Sequence, residues 1–281
     1  MIVTRFAPSP TGRLHLGHAL SAVRAHGMAR AAGGRFLVRI EDIDGTRSRP
    51  EHVETILADL RWLGLDWDDL SFQSQRLEHY AAALDDLRGR GLVYPCFCTR
   101  AEIAASASAP HGMAPVYPGT CRTLAPAERA GWMATPHCWR LDMARAVAIA
   151  GPLTWHDATA GRVTAVPGVQ GDVVLARKDA PSSYHLAVSV DDAAQGVTDI
   201  VRGADLFDAT HVHRLLQALL NLPVPRYHHH PLILGADGQR LAKRHGAPAL
   251  ADMRGRGVDG VALAADLRRD ILPTGFSLGK A

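Results

Sequence analysis

A short apolar strand, an irregular turn, a helix and a second apolar strand follow one another at the start of the chain. No other feature restricts the fold as much. Ile2 to Phe6 reads as the first strand. Ala7-Pro8-Ser9-Pro10-Thr11-Gly12 ends it, since two prolines and a glycine force an irregular turn. A helical pattern runs from about Leu16 to Ala32 and closes at Gly33-Gly34. Arg35 to Ile40 then reads as a buried strand leading into the acidic Glu41-Asp42-Ile43-Asp44. Two amphipathic helices follow, at about Pro50 to Leu63 and Gln75 to Arg90. Alternation of this kind predicts an α/β fold built on a parallel sheet.

From about Val93 to Val166 the rhythm is lost, and cysteine, proline and short apolar segments take over. The expected organisation is therefore 1–92 as the first half of a parallel-sheet domain, 93–170 as an inserted subdomain and 171–225 as the second half. A region with a loop and helices is expected over 226–281. Strands are expected to return at Asp172 to Arg177 and Ser183 to Asp192, followed by a helix from about Ala209 to Leu220. His228-His229-His230 precedes an apolar Pro-Leu-Ile-Leu and reads as the start of a strand, although three histidines also invite a metal reading. Pro231 to Arg244 reads as a hairpin or as a strand leading into a loop. The stretch after Ala247 reads as helical, with a weak tail after Leu272.

Composition narrows the class. With 281 residues, 47% hydrophobic and 21% charged, the chain has enough apolar surface for a sizeable core, which excludes disorder as the main state. No run approaches the roughly 18 apolar residues of a membrane span. The N-terminus lacks the pattern of a secretory signal, so a cytoplasmic location is expected. The net charge of +3 is compatible with an anionic partner without requiring one. Lys+Arg total 31, yet the lysines are only Lys178, Lys243 and Lys280, so a retained lysine suggests a position where arginine would not serve.

Two segments carry phosphate chemistry. In His15-Leu16-Gly17-His18 both imidazoles fall near the first turn of a helix, where free N–H groups and the dipole favour phosphate. Far downstream, Gln239 to Arg244 places Lys243 in a basic loop able to close over a triphosphate. Alone, the first is an ordinary helix with two surface histidines and the second a solvated face. A third cluster suits a metal. Cys96, Cys98 and Cys121 offer thiolates, and Tyr117 offers an oxygen that becomes a reasonable ligand beside a dication. Cys138 and His111 are alternative fourth ligands. Three free thiols in a reducing compartment is the plainer reading.

Together these segments resemble the catalytic core of the class I glutamyl-tRNA synthetases. The resemblance rests on Arg5 to Ala19, Ile40 to Asp44, Val188 to Leu206 and Arg240 to Arg244, in that order. It covers roughly residues 1 to 250. His15 to His18 matches the first signature, with leucine in place of isoleucine, and Arg240 to Arg244 the second, with alanine in place of serine. The resemblance implies a Rossmann-like parallel sheet, a zinc-bearing insertion and a short helical C-terminal part. It implies an ATP site formed by His15, Gly17, His18, Arg240, Leu241 and Lys243, with Mg²⁺ on the phosphates. His15, His18 and Lys243 would be its catalytic residues.

Glutamate has two carboxylates and one ammonium, so a selective pocket needs two cationic donors and an acid. By resemblance, Arg5 and Ser9 contact glutamate, Glu41 takes its ammonium, and Tyr184 and Arg202 complete the site. Arg5 is paired with the side-chain carboxylate and Arg202 with the α-carboxylate, and the exchanged assignment stays open. All four charged or aromatic members are expected at strand ends, where α/β sheets bind ligands. Asp191, Asp192 and Asp205 also match the family pattern and would orient the signature loop or cap a helix. Thr4 and Asp42 are left without a role.

Within that family, the short chain and the Cys96, Cys98, Tyr117, Cys121 pattern resemble the glutamyl-queuosine tRNA(Asp) synthetases, which use one structural zinc. That branch implies tRNA-independent activation of L-glutamate by ATP and transfer to queuosine in the anticodon of tRNA(Asp), with no anticodon-binding domain and a monomeric state. Two alternatives are a truncated glutamyl-tRNA synthetase charging a tRNA 3′ end and a non-catalytic glutamate- or tRNA-binding paralogue.

Overall fold

The computed structural model describes residues 1–99, 101–103, 116–241 and 248–279. Strand β1 (Val3–Phe6), helix α1 (Leu16–Ala31) and strand β2 (Arg35–Ile40) form the expected unit, with β1 and β2 parallel. Gly34 makes the return possible. A Cβ there would lie 2.1 Å from the Ile2 carbonyl oxygen, so only glycine lets Arg35 N–H reach that oxygen at 2.9 Å and start the ladder. Helix α2 (Pro50–Trp62) leads to β3 (Asp69–Phe72), a strand with no sequence forecast, which pairs parallel with β2. Helix α3 (Leu77–Gly89) follows.

The middle of the chain packs β4 (Val93–Cys96) antiparallel to β5 (Cys138–Leu141), with helix α4 (Pro126–Trp132) between them in sequence. Helix α5 (Met143–Ala150) and the hairpin β6 (Thr154–Asp157) and β7 (Gly161–Thr164) come next. Strand β8 (Val174–Ala176) pairs with β5. Helix α6 (Tyr184–Ala194) occupies the segment expected to be a strand. The error has a physical cause. Val188, Val190 and their neighbours look strand-like, but Ser183 caps a helix by accepting from Leu186 N–H. The last turn of that helix holds Asp191 and Asp192 against buried arginines. The real strand, β9 (Asp199–Gly203), comes just after it.

Helix α7 (Ala209–Leu219) precedes β10 (Arg226–His230), so the three histidines do lie on a strand. β10 pairs parallel with both β9 and β6. The two parallel groups, β1-β2-β3 and β9-β10-β6, meet between β1 and β9. There Thr198 N–H reaches the Val3 carbonyl at 2.9 Å and Val3 N–H reaches Thr198 Oγ1 at 2.9 Å. The strand order reverses at this junction, the place where α/β sheets open a ligand crevice. A short strand, β11 (Ile233–Leu234), pairs antiparallel with β12 (Ser277–Leu278), which gives the weak tail a place in the fold. Helices α8 (Leu250–Gly255) and α9 (Gly260–Arg268) cover α1 and α2. Among the described residues, no helix is long and apolar enough to cross a membrane.

Candidate active site

A cavity of about 460 Å³ opens at the β1–β9 junction. Its lining includes Arg5, Ser9, Glu41, Tyr184 and Arg202 from the expected amino-acid set. It also includes His15, Gly17, His18, Arg240 and Leu241 from the expected nucleotide set. Residues more than two hundred positions apart thus share one space. Lys243 lies outside the described residues, as do Arg244 and His111. Tyr184 opens helix α6 and is not at a strand end, because the segment is helical.

The two histidines are built into the helix start. His15 is the N-cap of α1, and its Nδ1 accepts from Gly17 N–H at 3.1 Å. His18 Nδ1 accepts from His15 N–H, also at 3.1 Å. With Nδ1 used as acceptor, each neutral ring carries its proton on Nε2. The rings lie 3.8 Å apart, so both donors belong to one locus at the positive end of the helix. Gly17 has a steric reason as well, since a Cβ there would come within 3.0 Å of the His15 ring. Beyond the helix, Ala249 bridges His15 and Leu250 N–H bonds the Leu14 carbonyl at 2.9 Å. The chain leaving the signature loop is therefore fastened to the first signature.

On the β1 wall, Arg5 is 4% exposed and bonds Asp192 through Nε at 3.0 Å. The fully buried Arg39 also bonds Asp192, at 2.8 Å, and lies 3.5 Å from Glu41 and 3.7 Å from Asp191. Asp191 further accepts from Gln73, Arg76 and Tyr80. Burial alone would raise the Asp192 pKa, but Arg5 and Arg39 outweigh it and hold the carboxyl below its usual range. Glu41 goes the other way. Burial raises its pKa to about 7, because Arg39 and Arg5 only partly offset the lost hydration. Asp191 and Asp192 thus serve this network, and among the described residues their ion pairs are to Arg5, Arg39 and Arg76. Asp205 does, at 3.9 Å from Arg240. Thr4 bonds the Ala25 carbonyl, and Asp42 bonds Ser74.

On the β9 wall, Arg202 is also 4% exposed, yet among the described residues its acceptors are all neutral. Nε donates to His229 Nε2 at 3.1 Å, Nη1 to the Tyr184 hydroxyl at 3.2 Å and Nη2 to Thr210 Oγ1 at 2.6 Å. His213 Nδ1 lies 3.4 Å from Nη1. Burial, aided by Arg202, holds His213 well below its usual pKa and brings His229 down to about 4. Sequence reading missed these residues, and Ser21 and His230, which bond each other at 2.7 Å on the cavity wall. The signal was the histidine run before Pro231, which marked a strand but not what its faces meet.

The cysteine cluster sits apart, where β4 ends beside the turn Thr120–Thr123. The sulfurs of Cys96, Cys98 and Cys121 lie within 4.8 Å of one another. Cys98 Sγ is 3.5 Å from Cys121 Sγ and 3.7 Å from the Tyr117 hydroxyl. A tetrahedral zinc with bonds of about 2.3 Å has ligand–ligand edges of about 3.8 Å, so these donors fit one. Cys138 faces Cys96 across the β4–β5 ladder, is buried, and is not one of the grouped sulfurs.

The model of the class I tRNA synthetases (E and Q) catalytic domain matches residues 1–274. The chain belongs to this family. It is 50% identical to the glutamyl-Q tRNA(Asp) synthetase of Rhodobacter capsulatus, over 95% of this chain and 99% of that one. It is 49% identical to that of Symbiobacterium thermophilum, over 92% of this chain and 82% of the relative. Among solved structures, it superposes on the glutamate tRNA ligase of Elizabethkingia meningosepticum in complex with its amino acid, with a TM-score of 0.73 and 28% identity. That match covers 87% of this chain and 52% of the ligase, so this synthetase spans about half the ligase's length.

Proposed function

We propose that this chain activates L-glutamate with ATP, without tRNA, and transfers the glutamyl group to queuosine in the anticodon of tRNA(Asp). One observation carries the first half. A single cavity at the sheet's reversal point is lined both by Arg5, Glu41 and Arg202, suited to an amino acid with two carboxylates, and by His15 and His18, suited to phosphate. The second half is supported by the names of relatives matched nearly end to end.

In the activation step, an oxygen of the glutamate α-carboxylate attacks the α-phosphorus of ATP in line, and the bond to pyrophosphate breaks. Arg5 and Arg202 take the two carboxylates, Ser9 and Tyr184 complete the pocket, and Glu41 accepts from the ammonium. Fixed in this way, the attacking oxygen needs little reorganisation. The Nε2–H groups of His15 and His18 donate to the phosphates beside Gly17, while Arg240, Leu241 and Lys243 close over them. Mg²⁺ on the phosphates, when bound, neutralises charge. A hydroxyl of the queuosine ring then attacks the mixed anhydride and AMP leaves. The adenylate is already activated, so this step needs no dedicated base. Cys96, Cys98, Tyr117 and Cys121 would hold one structural zinc, which would tie β4 to the Thr120–Thr123 turn. The cysteine-bearing part of the segment expected as an insertion over 93–170 is the RNA-facing subdomain, whereas its hairpin β6–β7 belongs to the sheet of β9 and β10, and the chain works as a monomer in the cytoplasm.

The test is transfer of labelled glutamate to tRNA(Asp) with and without queuosine, beside tRNA(Glu). Labelling of the queuosine-bearing tRNA alone is the expected result. Labelling of tRNA(Glu) would replace the proposal by 3′-end charging, and absence of glutamate-dependent pyrophosphate exchange would leave a binding paralogue.

A further inference from the structure

Arg202 stands on a short relay that the reaction scheme does not use. Asp157, at the end of β6, is 1% exposed. Its Oδ1 accepts from Thr159 and Ala160 N–H, both at 2.9 Å, which fixes the carboxylate in its turn. Its Oδ2 meets His229 Nδ1 at 2.7 Å. A carboxylate can only accept here, so the His229 proton sits on Nδ1 and Nε2 presents a lone pair. That lone pair receives Arg202 Nε–H at 3.1 Å.

Arginine forks pair readily and bidentately with carboxylates. An aspartate in direct contact with Arg202 would occupy the fork that a substrate carboxylate needs. The relay keeps the counter-charge one ring away. It orients the guanidinium through a neutral acceptor and leaves its positive charge unmatched at contact distance. The remaining contacts follow the same rule, since Tyr184, Thr210 and His213 are also neutral acceptors.

We propose that Asp157 and His229 are positioning residues for Arg202, holding it oriented but electrostatically available so that the site selects a carboxylate-bearing ligand. The proposal rests on the reading that Arg202 takes one of the glutamate carboxylates.

The experiment measures glutamate-dependent ATP–pyrophosphate exchange in the whole chain, with KM for glutamate and for ATP taken separately and Tm recorded. His229→Leu removes the acceptor. It is expected to raise KM for glutamate about tenfold, the cost of losing a hydrogen bond to a charged group. KM for ATP should stay within about twofold. His229→Gln, whose amide oxygen restores a neutral acceptor, should recover most of the loss. A purely structural role would lower Tm without separating the two substrates. An unchanged KM for glutamate in a folded leucine variant overturns the proposal, as does an equal loss for both substrates. Should that variant not fold, Asp157→Asn keeps the size of the turn residue and should raise KM for glutamate about threefold; no change there overturns the proposal equally. Loss of glutamate dependence in Arg202→Lys with none in the His229 and Asp157 variants overturns the relay alone. Absence of glutamate-dependent exchange in the parent protein overturns the functional reading and the relay together.

Discussion

The two walls of the cleft each present one buried arginine, and they are built on opposite electrostatic plans. Arg5 on β1 is held by Asp192, within a network that also contains Arg39, Asp191 and Glu41. Arg202 on β9 is held by an imidazole, a phenol and a hydroxyl. The first plan joins site and fold. Removing Asp192 strands Arg5 and weakens the pairing of Arg39, so the wall cannot be altered without loss of stability. The second plan separates them, because neutral acceptors orient the guanidinium without consuming its charge. A site for a doubly anionic amino acid gains from having both, one wall rigid and one wall electrostatically open.

The comparison is broken most severely at Asp192. Asp192→Ala leaves Arg5 buried without its carboxylate and takes from Arg39 its shortest ion pair, and the expected cost is about 3–5 kcal/mol, read as a lowered urea midpoint with glutamate activation lost as well. On the other wall, Arg202→Gln should leave the urea midpoint nearly unchanged while kcat/KM for glutamate falls about a hundredfold, the scale of a lost buried charge contact. Equal stability losses in the two variants would erase the distinction between the walls.

Acidity sharpens it further. Glu41 in the folded chain titrates near 7 instead of the usual 4.5 because it is buried. Only the ionised carboxylate attracts an ammonium, so KM for glutamate should rise as pH falls below about 7, by up to about tenfold per unit. The folded state holds this proton more tightly than the unfolded chain. The Glu41 contribution to stability therefore declines as pH rises from about 4.5 to about 7, then levels off. Glu41→Gln should flatten both dependences, and a KM profile unaffected by that substitution would remove Glu41 from the ammonium site.

The smallest expected effect on the cleft comes from the cysteine cluster. Cys98→Ser, or chelation of the parent protein, should remove bound zinc and lower Tm. Because the cluster lies apart from both arginine walls, KM for glutamate should stay within about twofold. A metal analysis finding no zinc in the freshly purified parent would discard that centre.

Legibility from sequence differed between the same regions. His15, Gly17 and His18 were readable as a helix start because helix capping uses contiguous residues. Cys96, Cys98 and Cys121 were legible as a group because cysteines in close spacing draw attention along the chain, and their sulfurs do gather within 4.8 Å. Helix α6 was misread because Val188 and Val190 satisfy a strand pattern locally, whereas the Ser183 cap and the tertiary pairing of Asp191 and Asp192 with the buried Arg39 hold it as a helix. Strand β3 went unseen, being four residues long with a mostly half-buried Asp-Leu-Ser-Phe sequence. Asp157 had no signal of its own, and the histidine run gave no hint that His229 meets it, since seventy-two positions separate the two.

The sequence alone determined the α/β rhythm of the first ninety residues, the His15–His18 helix start, the cysteine cluster and the membership of the class I synthetase family. Each of these is written in local spacing or in short motifs whose order can be read along the chain. Tertiary structure decided which acid serves which arginine, why Glu41 holds its proton to near neutrality, and that β1 and β9 meet where the sheet reverses. Those properties depend on burial and on contacts between distant segments, and a linear pattern of residues does not specify either.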